Sequence, residues 1–211
     1  MDFLERLKQD PNCLYIYDWG PYIYGLDKEP GMYLVIVSDY WKSYEDIDFP
    51  EDPWGIYFFT HNDIHYEFYR MKYWFDKVLL GDLDCWECAC LNKKYIIKEH
   101  VKLMMHTNLL ELRKSIDNYI YKSDTSIQQA SIYGLWNTIK QCKFANQIID
   151  NHKIVNPKEA NKDYYLLEEA NDKVYVYKKL IEVPYQNLKL KTDDLLKKSK
   201  IAKVLKKSKN E

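Results

Sequence analysis

No run in this chain approaches the ~20 consecutive apolar residues that a bilayer-spanning helix requires, so no membrane role is expected. There is no surplus of either charge: 31 Lys and Arg face 32 Asp and Glu, a formal net charge of −1, which removes any global electrostatic reason to bind nucleic acid. The opening stretch MDFLERLKQD lacks the apolar core of a signal peptide, which leads to the expectation of a cytoplasmic protein. Five cysteines are an odd number, which argues against a complete disulfide framework and fits reduced thiols. Internal repeats are lacking too. A chain of 211 residues with 46% hydrophobic and 30% charged content is not a disordered composition, and it has room for one core or two small packed subdomains. What is present in excess is tyrosine: 20 Tyr, with 6 Trp. Together with the Lys and Ile content, that count is associated with AT-rich coding genomes such as those of phages and low-GC bacteria.

Periodicity orders the chain. Phe3, Leu4 and Leu7 mark a short amphipathic helix that Pro11 ends. Cys13–Tyr17 and Met32–Val37 read as apolar strands, with a Gly20-Pro21 turn and Tyr22–Leu26 between them. Trp54–Thr60 and Asp63–Arg70 read as two more strands around a His61-Asn62 hairpin. At Met71 the period becomes helical: Trp74, Phe75, Val78 and Leu79 recur at helix spacing until Gly81. Helices are expected over 96–106, 109–121, 126–151 and from Pro157 to Ala170, whereas 171–181 fits a strand or a helix. Strands followed by helices predict an α+β class: a small mixed sheet with flanking helices in residues 1–95, an all-helical subdomain in 96–190, and a lysine-rich tail in 191–211.

The order strand, Gly20-Pro21, Tyr24-Gly25-Leu26, apolar strand resembles the opening of phage and bacterial nucleotidyltransferases of the DNA polymerase β superfamily. Those proteins carry a Gly-Ser turn, an aromatic-Gly-Leu segment and then Ser-Asp-x-Asp at the next strand. Lys72–Leu91, with Gly81 and Glu87 in the matching places, is similar to their helix, break and Glu-containing second helix. Ser131–Ile154 is similar to their long C-terminal helix. The likeness spans roughly residues 13 to 170 as an ordered set of weak motifs.

The resemblance implies two divalent metals held by three carboxylates, two of them alternating on one strand so that both reach the same face. Here the Ser-Asp-x-Asp positions read Gly31-Met32-Tyr33-Leu34, and neither Met32 nor Leu34 can bind Mg²⁺. Pro21 stands in place of the phosphate-binding Ser and has no N–H. The third carboxylate is expected within 63–69, with Asp63 or His65 at the position, both on one side of the strand. The His and Arg of the long helix correspond to Asn137 and Lys140. The reading is therefore a nucleotidyltransferase fold without catalysis and without a cofactor, in which Gly20, Pro21, Tyr24, Asp63, His65, Asn137 and Lys140 line a ligand cleft. It would act by binding a nucleotide, a nucleic acid or a host protein. Two alternatives stay open. One is an active, Mg²⁺-dependent enzyme with carboxylates relocated to Asp27, Glu29 or Asp39; the other is an unrelated α+β interaction protein.

Other clusters carry weaker chemistry. Cys85-x-x-Cys88-x-Cys90 has half of a zinc pattern, and buried core thiols account for it better. His61, Asp63 and His65, two apart, form a candidate metal trio on one strand face, set against a solvated edge. The aromatic and acidic loop 39–54, with Tyr40, Trp41, Tyr44, Phe49 and Trp54, suits a protein contact or a lid over the sheet. The tail from Lys191 carries eight lysines and reads as a solvated end or a contact to phosphates.

Overall fold

The computed structural model describes residues 2–42, 44, 56–100, 109–125, 131–151 and 153–207. Five strands form one mixed sheet in the order β3-β4-β2-β1-β5. They are β1 (Cys13–Asp18), β2 (Met32–Val37), β3 (Ile56–His61), β4 (Ile64–Arg70) and β5 (Ile96–Glu99). The two central strands, β2 and β4, are parallel, and the remaining neighbours are antiparallel. β2 is a run of apolar and β-branched residues because both of its faces are covered.

One face is closed by α1 (Phe3–Gln9), whose Phe3 and Leu7 meet Ile16, Tyr33, Val35, Tyr66 and Phe68. The other face carries Tyr15, Tyr17, Leu34, Ile36 and Tyr69 toward the helices. Cys13 and Tyr15 fall on opposite faces, although two apart, because a bulge shifts the register between them. α2 (Pro21–Tyr24) starts with Pro at its first position, where a missing N–H costs nothing. Its preceding residue, Gly20, has φ 71° and ψ −154°, and an added Cβ would meet Met32 Sδ at 3.0 Å. Only glycine suits both conditions.

α3 (Met71–Leu79) takes its N-terminal support from Asp39, whose Oδ1 accepts from Lys72 N at 3.0 Å. α4 (Leu83–Ala89) is capped by Asp82, which accepts from Cys85 N. After a 3₁₀ turn at Lys93–Tyr95 and β5 come α5 (Leu109–Thr125), α6 (Ile132–Asn151), α7 (Glu159–Glu168) and α8 (Lys173–Lys207). α6 is the hub: Leu135, Trp136, Ile139, Cys142 and Ala145 are buried in the same continuous cluster as the sheet's Tyr17 and Leu34 and α8's Tyr177 and Leu188. Trp136 Nε1 donates to Ala160 O of α7 at 2.7 Å.

The architecture is α+β, a mixed sheet with flanking helices followed by a helical C-terminal part, as the sequence pattern indicates. Two local expectations are corrected, at 96–99 and at the hairpin turn, and one open alternative, at 171–181, is resolved. Residues 96–99 are a strand, not the start of a helix: Ile96, Lys98 and Glu99 pair with β1, so strand pairing overrides a weak helical period. The rest of that expected helix, 101–106, lies outside the described residues, as do 126–130 of the expected long helix and 208–211 of the tail. Residues 173–181 are helical, the opening of a 35-residue helix with Pro184 inside it. The hairpin turns at Asn62-Asp63, both at positive φ, rather than at His61-Asn62.

Candidate functional site

The strand pairing places the positions that the resemblance singles out. Met32 stands opposite His65, and Leu34 opposite Glu67, on parallel neighbours whose paired side chains share a face. Trp19 N donates to Met32 O at 3.0 Å, and a Cβ added at Gly20 would stand 3.0 Å from Met32 Sδ, so the Gly20 turn lies beside β2 at this point. Leu34 is fully buried at 0% exposure, and no hydrated ion reaches it. The carboxylate in register with it is Glu67, which the sequence reading passed over in favour of Asp63 or His65. Asp63 lies in the hairpin turn at φ 62°, off the strand. A signal for Glu67 was present: it is the one carboxylate within IHYEFYR, alternating with the inward Tyr66 and Phe68.

The His61, Asp63 and His65 trio does not assemble. His61 faces α1, with its ring 5.6 Å from Phe3 and 6.0 Å from Phe59, whereas His65 lies on the opposite face with Nδ1 2.9 Å from Thr60 Oγ1. Among the described residues no group of three or more His, Cys, Asp or Glu side chains is arranged to hold a metal ion. Cys85, Cys88 and Cys90 are buried free thiols, as are Cys13 and Cys142. Burial raises every one of these thiols, Cys13, Cys90 and Cys142 to about 12.

The densest polar chemistry is a network joining α2, α4 and α6. Lys140 Nζ lies 2.9 Å from Glu87 Oε2, with side chains 3% and 0% exposed. Tyr24 donates its hydroxyl to Glu87 Oε1 and accepts from Lys140 Nζ at 2.9 Å. Gln141 Nε2 donates to Asp84 Oδ1 at 2.9 Å and to Glu87 Oε2 at 3.2 Å. The Lys140 ammonium also sits 4.4 Å from the Tyr24 ring centroid and 5.4 Å from that of Trp136. Helical spacing explains how α6 contributes: Asn137, Lys140 and Gln141 lie three and four residues apart, on one side. Asn137 Oδ1 is buried with no hydrogen-bond partner among the described residues.

Carboxylates gather around this network. Burial is the main cause that pushes Asp84 up to about 6; Lys140 opposes it, and Glu87, Asp82 and Glu67 add to it. Glu67 is raised by burial as well, although hydrogen bonds from Tyr69 (2.5 Å) and Trp19 pull the other way. Tyr133 on α6, half exposed, is raised chiefly by burial; Lys140 opposes that, and Asp84, Glu87 and Glu67 add to it. With one ammonium committed to Glu87, the surroundings are net acidic, which repels a phosphate unless cations intervene.

Of the predicted cleft residues, then, Tyr24 and Lys140 meet in the network, Asn137 lies beside it, Gly20, Pro21 and His65 border Met32, and Asp63 stands apart. The relocated set does not gather either: Asp39 is occupied at the start of α3. Of loop 39–54, Trp41 is buried against Phe68 at 5.4 Å, and both Trp41 Nε1 and Tyr44 OH donate to Asp10 Oδ2. Tyr40 is 90% exposed, and residues 45–54 lie outside the described residues.

No helix among the described residues is long and apolar enough to cross a membrane. No family model matches the chain, and no curated protein is similar to it. Among solved structures, it is similar to a nucleotidyltransferase-like protein from Exiguobacterium sibiricum 255-15, with 10% identity over 92% of this chain and 76% of that one, and a TM-score of 0.32.

Proposed function

We propose that this chain is a degenerate nucleotidyltransferase: the scaffold of the polymerase β superfamily without its two-metal centre, acting by binding a nucleotide, a nucleic acid or a host protein. The supporting order is β1, a Gly-Pro turn into α2, an antiparallel β2, and a β4 parallel to β2. The observation that carries the loss of catalysis is the Leu34–Glu67 pair. Where two alternating carboxylates should stand on β2 there are Met32 and a fully buried Leu34, leaving Glu67 alone in register. A single carboxylate does not hold two Mg²⁺ ions against their hydration. Phosphoryl transfer leaves little covalent work to the protein, so losing the metals and the hydroxyl of the turn removes most of the catalysis, at about 10²–10³ in rate per contact.

Incubation with α-³²P-labelled ATP, CTP, GTP and UTP and Mg²⁺ or Mn²⁺ tests the reading. No label should enter protein, RNA or small-molecule acceptors. Incorporation that Glu67→Gln abolishes would show a working site and overturn it.

A further inference from the structure

A cavity of about 130 Å³ lies beside α2, lined by Tyr22, Lys94, Tyr95 and Lys158. We propose that it is a phosphate-binding site. Two lysines line it, Lys94 from the 3₁₀ turn, with its Nζ 4.8 Å from the Tyr95 ring centroid, and Lys158 from the start of α7, and no carboxylate is among its lining residues. Among the described residues no carboxylate pairs with either lysine. In a chain with nearly as many bases as acids, two lysines without a carboxylate partner among the described residues, lining one hollow, form a local excess of positive charge.

Hydrogen bonds tie together the elements around the hollow. Asn161 Nδ2 donates to Gly25 O at 3.1 Å, tying α7 to α2, and Tyr95 OH donates to Ile23 O at 3.3 Å. Gly25 ends α2 in the left-handed conformation at φ 76°, and the Lys158 stem packs beside it. The volume lies below the roughly 300 Å³ at which drug-sized sites begin, so it suits one tetrahedral oxyanion with the rest of the ligand outside. Lysines act here as point charges with rotatable donors, which suits phosphate oxygens without fixing one orientation. The acidic surroundings of Glu67 and Asp84 make the expected cleft the wrong place for an uncomplexed phosphate, and this hollow supplies the missing positive charge.

The site deepens the binding reading and takes its biological role from it. The test is titration calorimetry of the full chain at low salt with pyrophosphate, ATP without metal, and a short single-stranded oligonucleotide, repeated with Lys94→Gln/Lys158→Gln. Binding of at least one probe that weakens tenfold or more in the double variant, and declines as salt rises, supports the site. ATP as the tightest probe identifies a nucleotide phosphate; the oligonucleotide identifies a nucleic-acid backbone. Both lysines are exposed, so an unchanged thermal midpoint verifies that the variant is folded. Equal binding by both proteins sinks the pocket but leaves the binding reading standing, whereas no binding of any probe by the wild type sinks this site and phosphate recognition together.

Discussion

The Glu87–Lys140 pair shows what a buried charge asks of its neighbours. Each ion is almost wholly removed from water and survives because Tyr24 and Gln141 occupy the remaining lone pairs and protons. Deleting one partner strands the other. Lys140→Met is expected to destabilise the fold by about 3–5 kcal/mol in urea unfolding, and the double change Lys140→Met/Glu87→Leu by less than the sum of the two single changes. An additive double variant would mean that the two ions are not coupled. Lys140 was legible in sequence as a position matching the resembled family's helix. Its partner Glu87 matches that family's second helix in the same way, but nothing in linear order says that residues more than fifty apart will close on one another.

At the scale of elements, the β3–β4 hairpin separates pattern from geometry. Alternation marks both strands, but the turn lies one residue later than the sequence reading placed it, at Asn62-Asp63 with φ 51° and 62°. That conformation favours glycine at the second turn position. Asp63→Gly is therefore expected to raise stability by roughly 0.5–1 kcal/mol, measured as a higher urea midpoint. A loss of stability would mean that the Asp63 side chain does something the backbone does not reveal. The one-residue offset has a larger consequence: it takes Asp63 off the strand, and the register it belongs to aligns Glu67, not Asp63 or His65, with Leu34. β5 was missed for a related reason. Its four residues carry too little alternation to reveal a strand, and only the β1 edge makes one of them.

For the molecule as a whole, the class and the order of elements followed from periodicity, because long apolar repeats average over local errors. Contacts between distant segments, which build the polar network and the lysine-lined hollow, have no such repeat to reveal them. The network also leaves a mark on global stability. With Asp84 raised from 3.8 to about 6, the folded chain keeps a proton that the unfolded chain releases between those pH values. This contribution to stability is present at low pH and is lost as pH rises through about 6, a change of up to about 3 kcal/mol. Urea midpoints from pH 4 to pH 7 should show it as the difference between wild type and Asp84→Asn, in which the amide oxygen still accepts from Gln141. Parallel curves for the two proteins would refute it.

The five sheltered thiols make the molecule report on itself. Alkylating reagents attack the thiolate, and here every sulfur is both hidden from solvent and held protonated. Modification must wait for the surrounding structure to open. Cys13 sits between the sheet and α1, Cys85, Cys88 and Cys90 in and just after α4, and Cys142 in the middle of α6. Mass-resolved labelling of the native chain thus becomes a set of clocks in separate layers, each ticking at the rate at which its own layer comes apart.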